Sequence, residues 1–435
     1  MNEHSQPYSF SNIEARSELL FRKLVAKPQV RKSRDEAIRQ NIIVEEAMPY
    51  KPTEEVRPPM AQLSYERFDV RVSRGEGNQV RTEVLRAPDS DDTEICLQPQ
   101  EIFTYDTVSP ESGPATARNL RPSENDADIL GATSSSSRAT FAKTLGQILL
   151  PGRCYDRFLR SWDRVQQKNR GLRIRLRTEQ TELAELPWEL ACIDDSCLSL
   201  ERYTPLVRYV ETGGRSPGSV TVPGVIRLVG IVSKPENTAA LNTTKERKQL
   251  KQALQGLIKE GRVELEWLDH ANLTSLHNCL IRWGPHVVHY IGHGSYDASN
   301  KGGRLAFESP EGVATNTTAN SFAMVLKDST VRFVFVNACE SGHAAGGLAE
   351  VLALKGMPAA LGMQTRVLDD VAISFANGFY TALSNYFPVD RALVEGRLQV
   401  FAEKSAGDDD PYLHPHWAEP ILYMRAPDGQ IFDEM

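Results

Sequence analysis

Between residue 224 and the C-terminus the chain alternates short apolar, largely β-branched runs with longer amphipathic ones. This alternation restricts the available folds more than any other feature. The strand-like runs are VIRLVGIVS (225–233), RVELEWL (262–268), HVVHYIG (286–292), RFVFVNA (332–338), PAALGM (358–363) and ILYMR (421–425). Between the first two, TTKERKQLKQALQGLI opens with Thr243 and Glu246 at capping-box spacing and puts Leu250, Leu254, Leu257 and Ile258 on one face, which predicts a helix. Further helices are predicted over 343–355, 369–384 and 389–404. Strands alternating with helices imply βαβ units and a mainly parallel sheet covered on both faces. No apolar run approaches the roughly 20 residues that a membrane-spanning helix needs.

Upstream, the pattern is less regular. YERFDVRVSRGEGNQVRTEVLRAP (65–88) reads as two alternating strands around a glycine-containing turn, so a globular region starts near residue 64. Residues 1–63 carry two short amphipathic patterns, around Leu19, Leu20 and Leu24 and around Ile38, Ile42 and Ile43, the second with Ser33 and Glu36 at capping-box spacing. They predict a helical or partly disordered recruitment segment. Residues 106–140 are rich in Ser, Pro, Ala and Asp and predict a mobile loop, with order resuming at TFAKTLGQILLPG. A helix near 155–168, a strand GLRIRLRT and a corner anchored by Trp188 follow. The expected organisation is 1–63, an accessory half over 64–223 and a catalytic half over 224–435.

The net charge of −7 argues against general nucleic-acid affinity, and the start MNEHSQPYSF lacks a basic, then apolar, export signal. A cytoplasmic, reducing setting is expected. The six cysteines (96, 154, 192, 197, 279, 339) are spread out without a C-x-x-C pair, which suggests neither a zinc site nor a disulfide frame. Cys279 falls on the apolar face of a helical pattern with Leu276, Leu280 and Trp283, and reads as a packed residue.

Two strand ends carry chemistry. HVVHYIGHG breaks at Gly292, His293 and Gly294, and RFVFVNACESG breaks after Cys339. Sites in open parallel sheets form beyond the carboxyl ends of the strands, so both breaks are expected on one edge. A cysteine nucleophile needs a base to yield its thiolate, and His293 suits that task. Glycine lets backbone N–H groups approach a reacting carbonyl, so Gly294 and the amide of Cys339 are the expected oxyanion donors. A helix starting after Cys339 would favour the thiolate further.

At this point the sequence resembles a known family, the CHAT peptidases, relatives of caspases, separases and gingipains. The resemblance rests on ELPWEL, TPLVRYV (204–210), HYIGHGSYD (289–297), VNACESG (336–342), GMPAALGMQTRVLDD (356–370) and ILYMRAPDGQIF (421–432), and spans residues 64–435. It implies a caspase-like α/β/α sandwich with a β-containing accessory or pseudo-catalytic half. It also implies a His293–Cys339 dyad, no cofactor, a protein substrate, an activating partner, and a role in bacterial defence or regulated proteolysis. The tetratricopeptide repeats carried by many members are missing here.

Other readings of these residues compete. His289 and His293 lie roughly 13 Å apart along an extended strand, too far to share a metal ion. His289 reads as a core residue, and His286, His414 and His416 as structural or surface residues; His343 is near the nucleophile in sequence. GHAAGG lacks the Gly-Lys-Ser/Thr ending of a phosphate cradle, and Ser341 lacks the glycine two residues upstream that a nucleophile elbow needs. A catalytically silent scaffold and a small-substrate α/β hydrolase are the rival functions. Asn337, two residues before Cys339, should share its face; where relatives carry Asp there, basic residues suit the pocket. The neutral amide therefore predicts an uncharged residue before the scissile bond. Asp297, Gln364 and Asp369 are further pocket candidates by resemblance and loop position.

Overall fold

A computed structural model describes residues 63–76, 79–99, 135–213, 217–238, 243–297, 302–338, 347–364, 369–405 and 410–434. The two N-terminal amphipathic patterns and most of the expected loop at 106–140 lie outside these residues. Beyond them the chain is already helical at Ser135, so the SSSRA sequence belongs to a helix and not to the loop that the Ser-rich composition suggested.

The accessory half opens with strands β1 (Tyr65–Arg74), β2 (Gln79–Arg86) and β3 (Glu94–Pro99), then helices α1 (Ser135–Leu149) and α2 (Gly152–Gln166). Strand β4 (Gly171–Thr178), the short helix α3 (Thr181–Ala184), the two-residue strands β5 (Cys192–Ile193) and β6 (Ser196–Cys197), and β7 (Leu206–Tyr209) complete it. Next come β8 (Val220–Val222), β9 (Ile226–Val232), helix α4 (Thr243–Lys259), β10 (Val263–Leu268), α5 (Leu273–Trp283) and β11 (Val287–Ile291). The chain continues through β12 (Gly294–Asp297), β13 (Gly302–Glu308), β14 (Ala314–Thr318), α6 (Ala319–Leu326), β15 (Phe333–Asn337), α7 (Leu348–Leu354) and β16 (Ala359–Met363). It closes with α8 (Asp369–Leu383), α9 (Val389–Lys404), β17 (Pro420–Met424) and β18 (Phe432–Glu434).

Eleven strands form one sheet in the order β10-β9-β11-β15-β16-β17-β7-β4-β1-β2-β3. The block from β10 to β16 is parallel, β17 runs antiparallel to β16, and from β17 through β7 and β4 to β1 the pairing is parallel again. The two halves of the chain are therefore joined edge to edge through β17 and β7.

Period-two alternation sorts the core of the C-terminal half. Val287, His289 and Ile291 face the layer of α4 and α8, whereas Val288 and Tyr290 face α5, α6 and α7. Leu250, Leu254 and Leu257 of α4 are buried as the helical spacing predicts, each such side chain contributing roughly 1.5–3 kcal/mol. In the accessory half Phe68, Val70 and Val72 pack with α1 and α2, Phe68 meeting Phe158 edge-on at 5.6 Å. Trp188 is wholly buried and its indole N–H donates to the Leu183 carbonyl at 2.7 Å, so it does anchor the corner. No helix among the described residues is long and apolar enough to cross a membrane.

Candidate active site

Strands β9, β11 and β15 run side by side in parallel, with Val232 opposite Ile291 and Ile291 opposite Asn337. Their carboxyl ends are thus level and share one rim. His293 stands two residues beyond Ile291. Cys339 follows two residues beyond Asn337 in sequence, but Cys339 and His343 lie outside the described residues, which resume at Gly347. The first described helix after Cys339 is α7, beginning at Leu348, and the expected helix start beside the sulfur lies outside the described residues.

The backbone around His293 is held by a compact clamp. Tyr290 is fully buried and its ring folds back over Gly292, where an added Cβ would come within 2.5 Å of the phenolic oxygen. Only glycine fits beneath it. The Tyr290 hydroxyl lies 2.8 Å from the Ala306 carbonyl and 3.2 Å from that of His293, and burial pushes its pKa up. The Ala306 N–H donates to the His293 carbonyl at 3.0 Å, while Ser233 donates its N–H to Ile291 (3.0 Å) and its hydroxyl to Ala306. Three elements, β9, β11 and β13, therefore fix the turn on which a half-buried imidazole is mounted.

The same clamp orients Gly294. It is opposite Leu305 in the β12–β13 ladder, and the flanking bond from Ala306 N–H to the His293 carbonyl makes this a non-hydrogen-bonded pair. The Gly294 N–H therefore points away from β13. That N–H is thus not spent on the ladder with β13.

On the neighbouring strand, Asn337 is half-buried and its amide donates to Oε2 of Glu246 at 3.2 Å. Glu246 comes from the first turn of α4, so this helix reaches the rim directly. Gln364, at the end of β16, spends its side-chain N–H groups on Glu189 and the Ala418 carbonyl, both at 3.2 Å, and ties the rim to the Trp188 corner. Asp297 closes β12 opposite Gly302, and Asp369 opens α8; their side chains lie outside the described residues. Glu246, Ser233 and Tyr290 were not singled out from sequence. The capping-box spacing drew attention to Glu246 only as a helix start.

His289, His286 and His416 serve the scaffold. His289 is buried with Nδ1 2.8 Å from the Tyr380 hydroxyl and its ring 4.5 Å from that of Phe335, and burial pushes its pKa down to about 3. His286 Nδ1 accepts the Arg227 N–H at 3.1 Å, with burial first and then Arg227 and Arg332 lowering its pKa to about 4. His416 pairs with Glu419 at 2.8 Å, and His414 is exposed. Cys279 is buried as expected. Among the described residues no group of three or more His, Cys, Asp or Glu side chains is arranged to hold a metal ion.

Comparison with known proteins gives one family match, a model described as the CHAT domain, over residues 140–425. No curated protein matches the sequence. Solved structures with related folds include two of the Saccharomyces cerevisiae separase–securin complex. They are 14% and 15% identical, cover 58% and 61% of this chain and have TM-scores of 0.34 and 0.37. A secreted C11 cysteine protease from Bacteroides thetaiotaomicron, solved with an irreversible peptide inhibitor, is 12% identical over 43% of this chain, with a TM-score of 0.31. The match spans 15–16% of the separase chains and 62% of the C11 protease chain.

Proposed function

This chain belongs to the CHAT domain family, and from that premise we propose that it is a cysteine endopeptidase with His293 as general base and Cys339 as nucleophile. The observation that carries the proposal is the level alignment of β11 and β15: the turn bearing His293 and the strand leading into Cys339 leave the sheet side by side. Open parallel sheets bind ligands at such a rim.

In the proposed reaction His293 takes the thiol proton and the Cys339 sulfur attacks the peptide carbonyl carbon. The amides of Gly294 and Cys339 hold the resulting oxyanion, the orientation of Gly294 supporting its part. His293 then gives its proton to the leaving amine, the C–N bond breaks, and a thioester remains. Water, deprotonated by His293, attacks the thioester and releases the thiolate. No cofactor enters.

Asn337 is proposed to floor the pocket for the residue before the scissile bond, with Asp297, Gln364 and Asp369 on the surrounding loops. The preference proposed is for an uncharged residue, because Glu246 meets the pocket through the Asn337 amide rather than as a bare carboxylate. The substrate is a protein, the setting cytoplasmic, and the role bacterial defence or another regulated proteolysis controlled by an activating partner. Cys339→Ala should abolish cleavage of a peptide library while the thermal midpoint stays within a few degrees of wild type. Cleavage by this variant at the wild-type rate would refute the assignment, and substrates trapped on it would identify the target.

A further inference from the structure

Far from this rim, the polar face of the accessory strands carries an imbalance of charge. Cross-strand register sets Arg67 opposite Arg173, and Asp69 opposite both Arg175 and Arg86. Two of these arginines are neutralised: Arg173 lies against Asp390 with its Nη2 3.1 Å from Oδ1, and Arg175 forks onto Asp69. Arg67 and Arg86 are not. Among the described residues neither forms a hydrogen bond or ion pair, although they sit diagonally across β1 and β2 on one face, within reach of a common ligand.

Both side chains line a cavity of about 420 Å³ between β1, the end of β2 and the start of β4. Glu66 at its wall already serves Lys168 (2.9 Å) and Arg170 (3.3 Å), and Asp91 is exposed at its mouth. Three lining cations, Arg67, Arg86 and Arg170, face two lining carboxylates, Glu66 and Asp91, and Lys168 takes up part of the Glu66 charge from outside the cavity. Arg67 is half-buried, and its desolvation, with Arg175 beside it, holds its pKa below the ordinary arginine value. An arginine cannot escape such a position by losing its proton, so the arrangement stays unfavourable until an anion arrives.

We propose that this cavity binds a phosphoryl dianion, held by the guanidinium forks of Arg67 and Arg86. Two uncompensated guanidiniums match the charge of a phosphate monoester, and the planar fork fits its oxygens. A single carboxylate would leave one positive charge unanswered. The volume exceeds a bare phosphate and accommodates the group carrying it.

The test is titration calorimetry on the full chain at constant ionic strength, with inorganic phosphate, a phosphoserine peptide and the same peptide unphosphorylated; no peptidase activity is needed. Wild type should bind phosphate, and Arg86→Gln, at an exposed position that leaves the fold intact, should weaken it roughly ten- to a hundredfold. With no anion present, Arg67→Gln should raise the thermal midpoint by removing a desolvated guanidinium that has no ion-pair partner. A phosphopeptide binding more tightly than phosphate assigns a protein-borne phosphoryl group, and one binding no better assigns a small phosphorylated molecule. Phosphate binding no tighter than chloride, or unchanged in Arg86→Gln, would overturn the site.

Discussion

Gly292 is the smallest residue at the rim and one of the most constrained. Its hydrogen occupies the space into which the Tyr290 ring folds, and that ring ties the carbonyls of His293 and Ala306 together. Gly292→Ala should push the ring out and shift the imidazole by a fraction of an ångström to an ångström, a displacement that lowers kcat/KM by roughly a hundredfold. Circular dichroism would show the fold retained; an unchanged kcat/KM would mean that the clamp does not position the base. Asn337→Asp would set a second carboxylate against Glu246 and should turn the peptide-library preference toward Arg and Lys. His289 supplies a pH prediction. Its folded pKa, about 3, lies below the unfolded value near 6.5, so the unfolded chain binds the extra proton and stability is lost as pH falls through that window. At pH 5 this one residue destabilises the fold by about 2 kcal/mol. The paired change His289→Phe and Tyr380→Phe should flatten the fall of the thermal midpoint between pH 7 and pH 5, and an unaltered slope would assign the acid sensitivity elsewhere.

At the scale of elements, the buried ion pair between β4 and α9 is the clearest case of packing that depends on charge. Arg173 and Asp390 are both almost completely buried and contact each other across 217 residues of sequence. Asp390→Ala strands a buried guanidinium and should cost about 3–5 kcal/mol, whereas Arg173→Met with Asp390→Leu should recover most of it; chemical denaturation would read both. The strands of the catalytic half were legible because runs such as Val287–Ile291 are apolar on both faces and have no other stable home. Helix α4 declared itself through its apolar spacing and capping box, and α8 and α9 fall within the helical ranges expected at 369–384 and 389–404. The small sheet β12–β14 was not legible, since ATNTT and GSYD are polar and pair only because the rim supplies a partner. Likewise β7 is four residues long and acquires its identity from β17 and β4. His293 stood out in the sequence because a glycine-flanked histidine ends an apolar strand; the contact of Glu246 with Asn337 did not, because 91 residues separate them and only the finished fold brings them together.

At the scale of the whole molecule, one seam decides whether the two halves are separable. Strand β17 is antiparallel to β16 and parallel to β7, and the corner behind the seam is held by Arg208 forking onto Glu189 at 2.9 Å, with Gln364 on the same carboxylate. Cutting the chain near residue 223 leaves β17 with an unpaired apolar edge, the kind of edge that drives aggregation. Residues 224–435 expressed alone should be insoluble, and co-expression with residues 63–223 should restore a soluble complex; a soluble, cooperatively unfolding C-terminal fragment would contradict this. The seam also bears on catalysis, because Gln364 couples that corner to the end of β16 at the rim. The central claim, however, is that two neighbouring strand ends bring an imidazole to a reactive sulfur. The most direct measurement is the rate at which a peptide chloromethyl ketone alkylates the native chain, with the modified residue located by mass spectrometry in wild type and in His293→Ala. The account predicts that Cys339 is labelled ahead of the other five cysteines and that His293→Ala slows this labelling roughly a hundredfold or more. Labelling spread over several cysteines, or a Cys339 rate indifferent to His293, would contradict it.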